Sequence, residues 1–236
     1  MFYRIDEWYE DEYTTVRKVL WCEIVSSKHI YGNFVYQWVS SNPSGEPLTT
    51  LVNNIYNHYV ANYVWYRVHE FDILELANFY TFVYYVTFGD DNMFSVCQSR
   101  IHVFNEKAME QHCPEIGMSY TSETKGAAQE MRLITEVSFL KRKFRYEKLY
   151  DRYCAPLELE VILEIPYWVQ EGDNRHGRIH DNVNLAIREL ALHDEDTFDR
   201  WVTRIVRAYK EKCNESPDCA RRNILLRAID KRSDWY

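Results

Sequence analysis

Glycine and proline are scarce in this chain, with 7 glycines and 6 prolines among its 236 residues. Aromatic residues make up 16% of the sequence, led by 19 tyrosines, which indicates a packed globular chain and excludes an intrinsically disordered one. No apolar run approaches the length needed to cross a bilayer, so the sequence predicts no membrane span. The length is enough for one large or two modest hydrophobic cores.

The chain also lacks the cysteine and histidine spacings of metal or redox motifs. Its six cysteines form no C-x-x-C pair and have no histidines at zinc-ligand spacing. Scattered free thiols are typical of a reducing cytosol. His176 and His180 are four residues apart, but Gly177 between them favours a loop over a helical metal-binding face. Neither zinc nor redox chemistry is indicated.

Positive charge is in short supply, since the formal net charge is −8. This is unexpected for a protein that binds nucleic acid. The basic residues nevertheless gather in one dense cluster, formed by Lys141, Arg142, Lys143, Arg145 and Lys148. The cluster could contact a polyanion, or it could be a hairpin edge that charge keeps soluble.

An apolar run followed by a glycine and two acids is the most informative pattern in the chain. Residues 79–86 have the aromatic and β-branched composition of a buried strand. Gly89 supplies the backbone freedom for a tight turn into a second strand at residues 93–96. Asp90 and Asp91 would then lie at the tip of a hydrophobic hairpin. Adjacent carboxylates repel unless a cation lies between them, which favours a hard divalent ion; an ordinary solvated turn is the alternative.

Polar residues upstream follow the spacing S-G-x-x-x-T-x-x-x-N, from Ser44 and Gly45 through Thr49 to Asn53. The start of this block predicts a loop, and a helix is expected from Leu48 onward. Thr49 and Asn53 are four residues apart and therefore share one helical face. Such a row of neutral hydrogen-bonding groups could read a sugar hydroxyl. It could also be an N-cap serine followed by an ordinary polar helix face.

In this order, the two blocks resemble motifs B and C of the RNA-dependent RNA polymerases of picorna-like positive-strand RNA viruses, closest to the dicistrovirus and iflavirus type. Two further blocks follow in the family's order. Residues 116–125, IGMSYTSETK, are similar to motif D and end on its lysine, and residues 137–144, VSFLKRKF, are similar to motif E. Four ordered motifs between residues 44 and 144 are a specific signal. Phe88 stands where the family usually has tyrosine, which keeps the ring and loses a hydroxyl.

The resemblance implies transfer of ribonucleotides to an RNA 3′-hydroxyl, with two Mg²⁺ or Mn²⁺ ions as cofactors. The implied site comprises the catalytic and metal-binding Asp90 and Asp91, the catalytic proton donor Lys125, the ribose-binding residues Ser44, Gly45, Thr49 and Asn53, and the primer-binding residues Phe139, Lys141 and Arg142. The implied partners are RNA template and primer, ribonucleoside triphosphates and other viral replication proteins. The implied location is the host cell cytoplasm.

The resemblance also implies an incomplete right-hand polymerase fold of the α+β class. A palm, an antiparallel sheet with helices, is expected over residues 1–145 and a helical thumb over residues 146–236. Local patterns predict a helix near residues 5–26, an aromatic ribbon at 29–39 and a helix capped by Asn105. Beyond residue 146, apolar stripes predict three helices: one capped by Asp181 or Asn182, one opened by Thr197 and one preceded by Asp218.

One expected block is missing from this pattern. The family's motif A supplies two further aspartates in a D-x-x-x-x-D spacing, and the chain offers this spacing at Asp6 and Asp11. The crowded acids and aromatics there are typical of an amphipathic helix and not of a strand that leads into a loop. We therefore expect the chain to start just after motif A. Two alternatives remain: a non-catalytic α+β interaction module, and a reverse transcriptase, against which the S-G-x-x-x-T-x-x-x-N block and Gly89 speak.

Overall fold

A computed structural model describes residues 11–123, 125–169 and 174–233. The candidate D-x-x-x-x-D segment, apart from Asp11, lies outside these residues, as does Thr124 of the motif D block. The described chain forms two compact units. The first runs to Thr121 and includes Ala128–Glu130, and the second comprises Ser122–Ala127 and the chain from Met131 onward. The division into a palm of residues 1–145 and a thumb of residues 146–236 stays a prediction.

The first unit contains five helices and four strands in the described chain. In order these are α1 (Thr14–Val25), β1 (Lys28–Tyr31), β2 (Phe34–Gln37), α2 (Thr49–Val68), α3 (Ile73–Ala77), α4 (Phe79–Phe82), β3 (Val83–Phe88), β4 (Asp91–Val96) and α5 (Glu106–His112), followed by a 3-10 turn at Cys113–Ile116. Strands β1 and β2 form the predicted aromatic ribbon, with Tyr31 paired to Phe34. The Asn105 cap is confirmed, because its side-chain oxygen accepts a hydrogen bond from the Ala108 N–H at 3.1 Å.

Helix α2 organises the core of the first unit. Its 20 residues contain no glycine or proline, so nothing interrupts the backbone hydrogen bonds. Trp65 is fully buried and packs edge-on against the rings of Phe79 and Phe104, at centroid distances of 5.7 and 5.5 Å. The Trp65 Nε1–H donates to the Glu75 carbonyl at 2.6 Å, so the buried indole is satisfied. The motif B helix is thereby anchored at its C-terminal end.

The predicted hairpin forms, but its first strand is shorter than the sequence indicated. Phe79–Phe82 is a short helix, and the strand begins only at Val83. The expected strand over residues 79–86 is therefore wrong in its first half. Phe79 is fully buried between the Trp65 and Phe104 rings, and packing of this aromatic anchor overrides the strand propensity of the segment.

The β3–β4 hairpin has one buried face and one open face. The antiparallel register pairs Val83 with Val96 at one end and Phe88 with Asp91 at the other. Because side chains alternate, Val83 and Tyr85 point into the core, whereas Tyr84 and Phe88 remain 73% and 55% exposed. All four sheets in the described chain are two-stranded, so both edges of this hairpin are open.

The second unit has two short hairpins followed by helices. These are β5 (Ser138–Phe139), β6 (Arg142–Lys143), β7 (Arg145–Glu147), β8 (Arg152–Cys154), α6 (Leu159–Glu164), α7 (Arg175–Leu190), α8 (Glu195–Cys213) and α9 (Arg222–Ser233), with 3-10 turns at Ile134–Glu136 and Ile165–Tyr167. The predicted apolar stripes form its core, with Ile187 and Leu190 of α7 fully buried and Phe198 of α8 nearly so. In the described chain, no helix is both long and apolar enough to cross a membrane.

Two of these helices begin earlier than predicted. Helix α7 starts at Arg175, capped by Asn174, so His176 and His180 lie on a helix and the loop prediction for them is wrong. Gly177 permits this start, because a Cβ there would lie 2.6 Å from the Asn174 side chain that accepts its N–H. Helix α8 starts at Glu195, with Asp194 as the cap. In both cases a polar side chain outside the apolar stripe sets the start.

Candidate active site

The two adjacent aspartates occupy the tip of the β3–β4 hairpin, as the sequence predicted. Gly89 and Asp90 form the two-residue turn, and Asp91 opens the second strand opposite Phe88. Gly89 has a φ of 65°, a left-handed conformation that glycine adopts without steric cost and that type II′ hairpin turns require at their first position. Both aspartate side chains are exposed. The fold therefore presents two neighbouring carboxylates to solvent on a short, closed turn.

Two asparagine side chains of α2 form hydrogen bonds with the backbone of this turn. The Gly89 N–H donates to the Asn54 Oδ1 at 2.7 Å, and the Asn57 Nδ2 donates to the Gly89 carbonyl at 2.7 Å. Asn54 and Asn57 are one helical turn apart and half-buried, so both reach the hairpin from the same face. Tyr85, buried on β3, adds a longer hydrogen bond from its hydroxyl to the Asn57 carbonyl at 3.4 Å. The motif B helix and the Gly-Asp-Asp turn are thus directly connected.

The polar face of α2 that carries Thr49 and Asn53 forms hydrogen bonds with the loop that precedes the helix. The Thr49 hydroxyl donates to the Pro43 carbonyl at 2.5 Å. The Asn42 Nδ2 donates to the Asn53 Oδ1 at 2.7 Å, which fixes the orientation of the Asn53 amide. Within the described residues the Asn53 Nδ2 donates no hydrogen bond, so this N–H₂ group is available to a ligand. Ser44 is exposed in the same loop.

Gly45 has a φ of 89°, in the region that favours glycine. A Cβ at Gly45 would meet nothing within 4 Å, so its requirement is conformational and leaves open space above the backbone. On α2, Asn53 immediately precedes Asn54, whose side chain reaches the turn, and Thr49 begins the same helix. The structure therefore brings the predicted ribose-binding block and the aspartate turn together within the first unit.

Lys125 belongs to the second unit, in the segment Ser122–Ala127. Its side chain is exposed, its φ is 52°, and its backbone N–H donates to the Ser122 carbonyl at 2.9 Å. Beside it, the Glu123 carboxylate accepts hydrogen bonds from the Ser138 N–H at 3.1 Å and from Arg132 at 3.2 Å. Burial raises the pKa of Glu123, but these donors outweigh it and lower the pKa below its usual value. Motif D is thereby tied to the first strand of motif E.

The motif E hairpin carries two strained residues at its turn. Leu140 and Lys141 have φ values of 53° and 59°, in the left-handed region that non-glycine residues rarely adopt. Lys141 is exposed at this tip and Phe139 is half-buried on β5. Arg142 is engaged within the unit, since its guanidinium forms two hydrogen bonds, of 2.9 and 3.1 Å, with the Glu189 carboxylate. The turn therefore leaves Lys141 as its accessible cation.

The sequence did not indicate a role for Asn42, Asn54 or Asn57. Asn42 bonds Asn53, 11 residues away, across the loop before α2. Asn54 and Asn57 lie three residues apart and continue the helix beyond the S-G-x-x-x-T-x-x-x-N block, but nothing in the sequence shows that their partner, Gly89, lies 35 and 32 residues away.

The two carboxylates at the turn could supply some, but not all, of the oxygen ligands of a magnesium ion. Two adjacent carboxylates are hard oxygen ligands, and Mg²⁺ is commonly held by one or two carboxylates together with waters and substrate phosphates. Among the residues that the structure describes, no group of three or more histidine, cysteine, aspartate or glutamate side chains could hold a metal. Asp90 and Asp91 therefore fit as part of a metal site.

Known structures define the class of fold to which this arrangement belongs. The chain superposes on the Sicinivirus 3Dpol RNA-dependent RNA polymerase with a TM-score of 0.63 and 16% sequence identity, over 91% of this chain and 42% of the polymerase. The α+β architecture is thus part of a right-hand polymerase fold, as the sequence predicted.

Sequence comparisons identify the family. The profile of the viral RNA-dependent RNA polymerases matches residues 2–213. The replicase polyprotein of Drosophila C virus is 32% identical over 221 residues, and that of acute bee paralysis virus is 31% identical over 230 residues. These matches cover 91% and 92% of this chain and 12% of each polyprotein. The chain belongs to the viral RNA-dependent RNA polymerase family, and it spans about an eighth of the length of these relatives.

Proposed function

We propose that this chain carries part of the active site of an RNA-directed RNA polymerase that copies a viral genome. The single observation that carries the proposal is the connection between α2 and the Gly-Asp-Asp turn through Asn54, Gly89 and Asn57. This connection joins the helix that carries the polar block to the turn that carries the two carboxylates, and nucleotidyl transfer needs a ribose-binding group and metal ligands at one place. The names of the relatives, replicase polyproteins and a viral polymerase, support the same activity.

Asp90 and Asp91 are proposed to hold the divalent ions, Mg²⁺ or Mn²⁺. Bound there, the ions would activate the 3′-hydroxyl and neutralise charge on the triphosphate. The turn would position these ligands, because both aspartates are exposed and the hairpin that carries them packs on α2. An asparagine at either position would keep the shape of the side chain and remove the charge.

Asn53 is proposed to recognise the ribose together with Ser44, Gly45 and Thr49. Because Asn42 occupies the Asn53 Oδ1, the Asn53 Nδ2 is presented as a donor of fixed direction. A 2′-hydroxyl can accept this hydrogen bond, and a deoxyribonucleotide cannot. Thr49 would act by holding the loop through the Pro43 carbonyl, which keeps Ser44 and Gly45 in place.

Three residues of the second unit, Lys125, Phe139 and Lys141, are proposed to carry further roles in the reaction. Lys125 would donate a proton or positive charge to the leaving pyrophosphate. Lys141 would bind a primer phosphate and Phe139 would support the strand, while Arg142, paired with Glu189, would stabilise the hairpin from behind. RNA template and primer, ribonucleoside triphosphates and other viral replication proteins are the proposed partners, in the host cell cytoplasm. The match to RNA-directed polymerases favours this reaction over reverse transcription.

Primer extension with a full-length polymerase that contains this sequence tests the proposal. Asp90→Asn should abolish template-dependent synthesis while cooperative unfolding is retained, because the metal ligand is lost without a change of shape. Asp151→Asn is the matched control, since Asp151 is an exposed aspartate in the turn of another hairpin, β7–β8, and should leave activity unchanged. Activity that survives in the Asp90→Asn variant would favour the non-catalytic interaction module.

A further inference from the structure

Gly89 occupies a backbone position that the hairpin itself cannot stabilise. In a two-residue turn, the flanking residues Phe88 and Asp91 exchange the ladder hydrogen bonds, and the turn residues are left outside the ladder. The Gly89 N–H and carbonyl would therefore face solvent in an isolated hairpin. Here both groups are satisfied by side chains from another element, at 2.7 Å each.

The two asparagines act on opposite ends of the glycine. Asn54 accepts from the N–H, which fixes the peptide plane between Phe88 and Gly89. Asn57 donates to the carbonyl, which fixes the peptide plane between Gly89 and Asp90. Since a glycine backbone samples positive and negative φ with little penalty, these two hydrogen bonds select the conformation that leads into Asp90. Tyr85, whose hydroxyl bonds the Asn57 carbonyl, supports this arrangement from the core. It is buried, and its ring packs edge-on against the His58 ring at a centroid distance of 4.9 Å.

We propose that Asn54 and Asn57 are positioning residues for the metal-binding aspartates, acting through the backbone of Gly89. This inference rests on the proposed polymerase function. The side chains of Asn54 and Asn57 bond the Gly89 backbone and would hold the turn that carries Asp90 and Asp91 in one conformation before any ion binds. Preorganisation of this kind matters because a displacement of about 1 Å at a reacting centre can cost on the order of a hundredfold in rate.

Asn62→Ala provides the control for the loss of an asparagine from the same helix. Asn62 is half-buried on α2, and its side chain contacts the His58 carbonyl and, at 3.4 Å, the Tyr80 hydroxyl, away from the turn. A purely structural role for Asn54 and Asn57 would make all three alanine variants behave alike.

The first measurement is amide hydrogen exchange in the full-length polymerase. Asn54→Ala should accelerate exchange of the Gly89 N–H by about five- to tenfold, the value of one hydrogen bond, while the ladder amides of β3 and β4 stay protected. Asn54→Asp keeps an acceptor and should preserve that protection. Asn57→Asp places a carboxylate against the Gly89 carbonyl and should destabilise the turn. This contrast remains informative if an alanine variant folds poorly. Equal exchange of the Gly89 N–H in wild type and Asn54→Ala would overturn the proposal.

The second measurement separates metal positioning from nucleotide binding. In Asn54→Ala and Asn57→Ala, kcat should fall at least tenfold and the Mn²⁺ concentration for half-saturation, followed by electron paramagnetic resonance, should rise several-fold, with KM for the nucleotide within about twofold. Asn62→Ala should change none of these. If all three variants coincide, the positioning role is refuted while the polymerase assignment stands. If the wild type is inactive, or Asp90→Asn is active, the proposed function itself is wrong.

Discussion

Glu147 offers the sharpest test of what holds the second unit together. Glu147 is only 7% exposed, and its carboxylate contacts the guanidinium groups of Arg222 and, at 3.0 Å, Arg145. The hydrogen bond from Arg222 is the main cause that lowers the pKa of Glu147 to about 2, against a usual value of 4.5; burial opposes this shift, and Arg145 and the Leu149 N–H support it.

The magnitude follows from this pKa. A carboxyl whose pKa is lowered in the folded state stabilises the fold above its unfolded pKa and loses that contribution as the pH falls toward the folded value. The difference between 4.5 and about 2 corresponds to about 3 kcal/mol at neutral pH. Glu147→Gln should therefore lower the free energy of unfolding by about 3 kcal/mol at pH 7, because Arg222 then loses its charged partner. At pH 3 the difference between the two proteins should shrink to about 1 kcal/mol.

Denaturant unfolding of both proteins across this pH range measures the difference directly and cancels the titration of all other groups. Glu158→Gln is the matched control: its pair with Lys143 is long, at 3.9 Å, and exposed, so its effect should stay below about 1 kcal/mol at any pH. A difference between wild type and Glu147→Gln that does not vary with pH would refute the electrostatic account and leave packing as the cause.

Three further predictions concern the proposed site. Asn53→Ala should reduce discrimination between ribonucleotides and deoxyribonucleotides by about tenfold, more than it lowers turnover, because the 2′-hydroxyl loses its hydrogen-bond donor. Competitive incorporation of the two nucleotide types measures the discrimination, and a loss of stability alone would make Asn53 a structural residue. Lys141→Gly should raise the free energy of unfolding by about 1 kcal/mol, because glycine adopts the left-handed φ without strain, and should also weaken primer binding in low salt. The control Lys143→Gly, in strand β6, should instead lower the free energy of unfolding. The chain expressed alone should aggregate through the open β3–β4 face, which size-exclusion chromatography can follow. It should also extend no primer, and template-dependent synthesis by this chain would instead identify Asp6 and Asp11 as motif A.

The sequence by itself determined the family, the hairpin and most of the helices. Ordered motifs specify local conformation and chemistry together, so the Gly-Asp-Asp turn was placed correctly by the need for a positive φ at Gly89. The Asn105 cap and the apolar stripes of α7 and α8 were found for the same reason, since each depends on residues within one or two helical turns.

Only the tertiary structure decided which residues support the site. Phe79 lies in a helix because Trp65 and Phe104 bury its ring, although its local sequence favours a strand. Asn54 and Asn57 form hydrogen bonds with Gly89, and Arg142 forms hydrogen bonds with Glu189, between residues that are 32 to 47 positions apart in the sequence. Such pairings depend on how two separately specified elements pack. A periodic pattern reports which face of an element is buried, but it does not report which element covers that face.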